Sequence, residues 1–346
     1  MRKIVILTEG NSNPTHAKTA TGVLRYRQSE VVAVLDSTCA GKTAQELLQV
    51  GGSVPCVASL DEIDADTLLI GIAPPGGGLP ESWRSVLHKA MSRGMRIVSG
   101  LHVYLNDDEE LKRTADQYGV VIHDVRRPPP GITVSGHEAR STTCFRVHTV
   151  GHDCGVGKLV VSLEVTRGLK KLGRRAEFVA TGQTGVMIAE SGVPIDAVVS
   201  DFVAGAIEAE VLKHQNEEFV LVEGQGSLIH PMYSGVTLGL LHGCNPQAMI
   251  MCLDPTHTRI RHSGAPMPAV EEVISIYERM ANVFVSSRVV GVAVNTSSLS
   301  ASAAEKEIEQ TSERTGLPTT DVIRFGVDAL VEAVLAEEAE SRARSA

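Results

Sequence analysis

Short runs of aliphatic and β-branched residues recur along the chain, separated by longer stretches with helical spacing of apolar positions. Runs at 3–7, 31–35, 67–72, 96–99 and 120–124 read as strands in the first third, and runs at 145–150, 176–180, 219–222, 248–253 and 289–294 read as strands in the rest. The runs are short and rich in Val, Ile, Leu and Ala, the residues that fill parallel sheets. Strands that alternate with helices predict a parallel sheet covered by helices on both sides. Between the two series lies Arg126-Arg127-Pro128-Pro129-Pro130-Gly131, where three prolines remove amide donors and fix φ. The predicted architecture is therefore α/β in two domains, a Rossmann-like parallel sheet over 1–130 and a second parallel sheet over 131–346, read as P-loop NTPase-like from the glycine-rich Gly151–Lys158 that follows its first run. The tail from Leu335, rich in Glu, Arg and Ala, reads as a helix that frays.

Composition supports this division. A chain of 346 residues exceeds the size at which one core keeps growing. With 43% hydrophobic but only 3% aromatic residues, its cores must be built from Val, Ile, Leu and Ala. A net charge of -9 and no run of Lys or Arg disfavour a nucleic-acid partner. No apolar run approaches the roughly 18 residues that span a bilayer, so no membrane partner is expected. The opening Met1-Arg2-Lys3-Ile4-Val5-Ile6-Leu7 reads as a first strand and not as a signal peptide, and a cytoplasmic location follows. Six cysteines without a C-x-x-C pair read as reduced thiols.

Chemistry concentrates after the strand at 145–150, in Gly151-His152-Asp153-Cys154-Gly155-Val156-Gly157-Lys158. Glycines there let successive amides turn toward an anion, the following helix adds its positive end, and Lys158 adds a point charge. Five residues separate Gly151 from Gly157, one more than in the common phosphate loop. Leu159 stands where Ser or Thr would ligate magnesium, so magnesium-dependent hydrolysis is disfavoured and no metal ligand is assigned.

In open α/β sheets ligands gather beyond the carboxyl ends of strands. Thr181-Gly182-Gln183-Thr184-Gly185, Glu223-Gly224-Gln225-Gly226-Ser227, Asp254-Pro255-Thr256-His257 and Asn295-Thr296 occupy such places. Glu223 suits a base or a metal-linked carboxylate, His230 could move a proton near neutral pH, and Asp201 reads either as a helix cap or as a second acid. Cys154 fits a tight turn better than a nucleophile's role. In the first domain Asp36 would suit a ribose hydroxyl, but the loop beginning at Thr8 lacks G-x-G-x-x-G. Gly71–Gly78 is a second glycine-rich loop there.

Gly151–Lys158, Glu223–Ser227 and Asn295 resemble the phosphate loop, the acidic loop and the base-recognising asparagine of the dethiobiotin synthetase superfamily. A longer resemblance runs over nearly the whole chain. Ala17-Lys18-Thr19-Ala20, Gly71-Ile72-Ala73-Pro74, Val98-Ser99-Gly100-Leu101-His102, Asp124–Pro129, Ala180–Gly185, Ser200–Gly205 and Glu223–Ser227, in that order, resemble a bacterial and archaeal family long listed as of unknown function. Its characterised members are D-glutamate N-acetyltransferases.

That resemblance implies an acyltransferase moving the acetyl group of acetyl-CoA to D-glutamate. Gly151, Asp153, Cys154, Gly155, Val156, Gly157, Lys158, Gln183, Thr184 and Asn295 would hold the phosphate-bearing cosubstrate. Glu223, with His230 and Asp201, would serve catalysis. Arg127, Gln225, Ser227, Tyr233, Arg259 and Arg261 would hold the acceptor, guanidinium matching carboxylate in bidentate fashion. Oxyanion donors are expected among the amides of Gly182–Gly185 or Gly224–Gly226. Small-molecule substrates and a homo-oligomer are the expected partners. Two alternatives stay open: an ATP- and magnesium-dependent ligase or kinase, with Lys158 on the phosphates and Glu223 on the metal, and a nucleotide-binding module without turnover.

Overall fold

A computed structural model describes residues 2–72 and 77–345, so Ala73–Gly76 of the proline-glycine loop lie outside the described residues. The chain divides into two compact units. The first comprises Met1–Pro128 and Val186–Glu190, the second Pro129–Gly185 and Ser191–Ala346.

Six parallel strands form the first unit's sheet: β1 (Ile4–Leu7), β2 (Val31–Leu35), β3 (Cys56–Val57), β4 (Thr67–Ile70), β5 (Arg96–Ser99) and β6 (Ile122–Asp124). Their order, β3-β2-β1-β4-β5-β6, is that of doubly wound Rossmann-type sheets. Helices α1 (Lys18–Arg27), α2 (Ala44–Leu48), α3 (Arg84–Ser92) and α4 (Glu109–Tyr118) connect them. The loop after β1 is closed on Asp36: one carboxylate oxygen accepts from the Thr38 amide at 3.0 Å and hydroxyl at 2.6 Å, the other from the Ser12 hydroxyl at 2.6 Å. Asp36 is thus an internal cap, with its acceptors already used by its own loop.

The second sheet contains β7 (Phe145–Gly151), β8 (Ala176–Val179), β9 (Phe219–Val222), β10 (Ala248–Leu253), β11 (Arg288–Val294) and β12 (Thr319–Thr320), all parallel, in the order β12-β11-β10-β7-β9-β8. On one face, α5 (Lys158–Lys171) and α11 (Asp328–Ser345) bury Val161, Val165, Leu169, Leu330, Val331 and Val334 against Phe145, Val147 and Leu221. Gly168 permits their close approach, since a Cβ there would lie 2.6 Å from Val331. On the other face, α7 (Val203–Lys213), α8 (Ser234–Cys244) and α9 (Val270–Ala281) cover Val150, Val220, Val222, Met249 and Met251. Helix α6 (Gln183–Ala189) follows β8, and α10 (Ala301–Thr315) precedes β12.

The tail differs from the frayed helix expected. Glu337, 2% exposed, pairs with Arg288 and with Arg344, and the buried Glu338 pairs with Arg174 and Arg342. Glu337 and Glu338 thereby tie the end of α11 to the rest of its unit.

Candidate functional site

The site lies at the carboxyl ends of β7 and β9, which are neighbours in the second sheet. β7 ends at Gly151, and the chain then makes the left-handed turns that its glycines allow: Gly155 at φ 71° and Gly157, which caps α5, at φ 100°. The first amides of α5 have no intrahelical acceptor and, with the helix dipole, favour an anion. Lys158 is buried and donates from Nζ to the Asp153 carbonyl at 2.8 Å. Burial pulls its pKa below the ordinary lysine value. Gly151 is needed beside it, because a Cβ there would lie 2.9 Å from Lys158 Nζ.

Asp153, completely buried, organises the loop. One oxygen accepts from the Cys154 amide at 2.7 Å, the other from His257 Nδ1 at 3.0 Å and from the Arg261 amide at 3.1 Å. His230 Nδ1 accepts from the Met232 amide at 3.2 Å, so Nε2 carries the proton and donates to the Arg261 carbonyl at 2.9 Å. The imidazole is a strut fixing Arg261, whose guanidinium lies close over Gly155: a Cβ there would meet Arg261 Nη1 at 2.7 Å. Tyr233 stacks on the same imidazole at 4.7 Å. The Cys154 thiol, pushed up by burial, the Asp153 carboxylate and His230 lie within 4.8 Å of one another, a set that could hold a metal only by giving up the bonds just described.

Glu223 is buried where β9 ends. One carboxylate oxygen accepts from the Thr181 amide at 2.9 Å and the Gly182 amide at 3.3 Å, and the other from Gln225 Nε2 at 3.3 Å. Burial pushes its pKa up to about 7, and the two amides and Lys158 only partly oppose it. Gly185 gives it room, since a Cβ there would lie 2.4 Å from its carboxylate. Gly224 holds its loop against β7: its amide donates to the Thr149 hydroxyl at 3.0 Å, and a Cβ would lie 1.8 Å from the Thr149 carbonyl. These bonds change the oxyanion expectation, because the Gly182 and Gly224 amides already serve Glu223 and Thr149.

Leu159 offers no oxygen to magnesium. The nearby hydroxyls of Thr149 and Ser162 face each other at 2.8 Å, and the Thr149 hydroxyl also serves the Lys158 carbonyl and the Gly224 amide. The hydroxyl ligand that a phosphate loop gives magnesium is missing.

The remaining expected residues are spread more widely. Val156 is buried in the core behind the loop, and Ser227 is completely buried, with Oγ accepting from the Ile229 amide at 3.4 Å. Gln183 and Thr184 open α6 beside Glu223's amide donors. Asn295 donates to Asp254 at 3.2 Å. Arg259 donates to the Gly264 carbonyl at 2.5 Å within the loop carrying Arg261. Asp201 is exposed in a short turn at Ser200–Phe202, and among the described residues no bond ties it to the phosphate loop. Arg127 belongs to the first unit, where it pairs with Asp107 at 2.5 Å and lies 4.2 Å over the Tyr104 ring.

Two contributors escaped the sequence reading, Thr149 and Tyr277, while Thr181 and His257 stood in loops it singled out without a role of their own. The Tyr277 hydroxyl donates to the Gly151 carbonyl at 2.9 Å and accepts from the Leu228 amide at 3.0 Å, joining the phosphate loop to the His230 loop. A tyrosine inside an amphipathic helix gives only a core signal. Thr149 lies in the run just before the phosphate loop, and position alone marked it.

The fold and the site define a Rossmann-like domain followed by a P-loop domain. Residues 133–331 match the model of the P-loop domain of unknown function DUF1611_C, and residues 37–128 match its Rossmann-like companion DUF1611_N. The chain belongs to the DUF1611 family. It is 35% identical over 325 residues to a D-glutamate N-acetyltransferase of Tritonibacter scottomollicae, covering 92% of this chain and 94% of that protein. It is 37% identical over 275 residues to a D-glutamate N-acetyltransferase of a Pseudoalteromonas species, covering 78% and 81%. The crystal structure of a DUF1611 family protein from Anabaena variabilis superposes with a TM-score of 0.92 at 40% identity, over 97% of this chain and all of that one.

Proposed function

We propose that the protein transfers the acetyl group of acetyl-CoA to the amino group of D-glutamate, with the phosphate loop anchoring CoA phosphates and Glu223 serving as base. The observation that carries this is a phosphate loop without its magnesium hydroxyl, set beside a buried carboxyl with a pKa near 7. Such a loop suits a cosubstrate that is held by its phosphates and reacts elsewhere. Lys158 and the first amides of α5 take the anionic end, and Arg261 closes over Gly155. The acceptor ammonium must lose a proton before it attacks the thioester carbon; as the C–N bond forms and the C–S bond breaks, CoA leaves as thiolate and takes up a proton. A carboxyl with a pKa near 7 is half ionised at neutral pH and matches that task. The two relatives that carry the D-glutamate N-acetyltransferase name support the choice of acceptor and of the acetyl group transferred.

Thiol release from acetyl-CoA, measured with D-glutamate, L-glutamate or no acceptor, with and without magnesium, tests the reading. Release that requires D-glutamate and persists in a chelator is expected. ADP release from ATP that requires magnesium, with no thiol released in any tube, overturns it in favour of a ligase or kinase.

A further inference from the structure

The first unit contains a cavity of about 180 Å³ that the chemistry above does not use. Its whole lining belongs to that unit, residues 186–190 included. Register explains how it forms. Ile4 pairs with Thr67, Thr67 with Arg96, and Val98 with His123, so alternate residues of β1, β4, β5 and β6 present one face. Leu69, Val98 and Val125 make that face an apolar floor, and Val186 and Met187 also line the cavity.

Cations enclose it. Arg2 pairs with Glu190, and Arg27 pairs with Glu30 at 2.6 Å and with Glu190 at 3.2 Å. Arg96 differs from both. Among the described residues it forms no ion pair, its buried Nε has no hydrogen-bond partner, and its Nη2 donates to His123 Nδ1 at 2.6 Å. A guanidinium has only donors, so His123 accepts at Nδ1 and keeps its proton on Nε2. Burial and the neighbouring Arg2 and Arg27 pull the pKa of Arg96 below its ordinary value, and burial beside Arg96 does the same to His123. Three guanidiniums thus face two carboxylates, Glu30 and Glu190. An uncompensated guanidinium with an unsatisfied buried donor is a standing cost unless an anion completes it.

We propose that this cavity binds a short aliphatic carboxylate, its oxygens on Arg96 and His123 and its chain on the floor of Ile4, Leu69, Val98 and Val125. The volume is below the roughly 300 Å³ where pockets for drug-sized ligands begin, which suits a ligand of a few carbons and not a nucleotide. The apolar floor favours a carboxylate with a hydrocarbon body over a bare phosphate. The site stands in the first unit and is independent of the acetyltransferase reading.

Calorimetric titration of the full chain with butyrate, and separately with inorganic phosphate, tests it. Saturable binding of one butyrate per chain is expected, weakened about tenfold or more in Arg96→Met. Arg96→Met should also melt higher than the parent without ligand, because an unpaired charge has been removed, so lost binding cannot be laid to unfolding. Arg96→Lys keeps the charge without the fork and should bind at intermediate strength. Phosphate bound more tightly than butyrate overturns the carboxylate assignment. Absence of saturable binding, or binding that survives Arg96→Met unchanged, overturns the site.

Discussion

Glu223 joins stability and, in the proposed reaction, proton transfer in one side chain. Its pKa rises from an ordinary value of 4.5 to about 7 on folding, so between those limits the folded state holds a proton that the unfolded state has lost. The Glu223 contribution to stability is therefore greatest below pH 4.5 and declines as pH rises through 7, reaching a cost of about 3 kcal/mol in alkaline solution. Glu223→Gln is expected to raise the melting temperature at pH 8 and to leave it nearly unchanged at pH 5, which paired thermal melts will check. Activity should run the other way. In the proposed reaction kcat/KM climbs through pH 7 as Glu223 ionises, and Glu223→Gln lowers kcat by about 10²- to 10⁴-fold and flattens that limb. A variant that keeps full turnover removes Glu223 from the base's role. Tyr277→Phe deletes one hydroxyl that serves two loops, and a loss of about 1–3 kcal/mol in denaturant unfolding is expected, with a raised KM for acetyl-CoA.

Among the elements, the phosphate loop divides its glycines by what each does. Gly157 has a left-handed backbone and no neighbour within 4 Å of a Cβ, so Gly157→Ala tests strain alone and should cost about 1–2 kcal/mol. Gly224→Ala puts a methyl into the Thr149 carbonyl and should leave little folded protein, as circular dichroism and soluble yield will report. Several strands were legible in the sequence because a strand buried on both faces writes a continuous apolar run; β2, β9 and β10 coincide with such runs residue for residue. The two-residue edge strands β3 and β12 left none. The phosphate loop was legible by the same logic, since glycine spacing is local. The network behind it was not: Asp153 meets His257 and Arg261, and Tyr277 meets Gly151, across more than a hundred residues, and no periodicity carries such pairings. The carboxyl-end rule put Glu223 at the site, but it could not show that the Gly182 and Gly224 amides were already spent.

At the scale of the whole molecule, the last helix belongs to the P-loop domain as firmly as its first strand does. Removal of residues 336–346 deletes Glu337 and Glu338, the partners of Arg288 and Arg174, and shortens the helix that packs on α5. Such a truncation should lower the melting temperature by several degrees, whereas removing only the last two residues should not. The sheet itself has a temporal consequence. β7 is flanked by β9 and β10, so Phe145 waits for Phe219 and Ala248 finds Val147 only after about a hundred further residues have been made. On a ribosome, the phosphate loop leaves the exit tunnel long before either neighbour exists. The strand before it, with Phe145, Val147 and Val150, must be kept from other chains for that interval, and refolding from denaturant should be slow and sensitive to protein concentration.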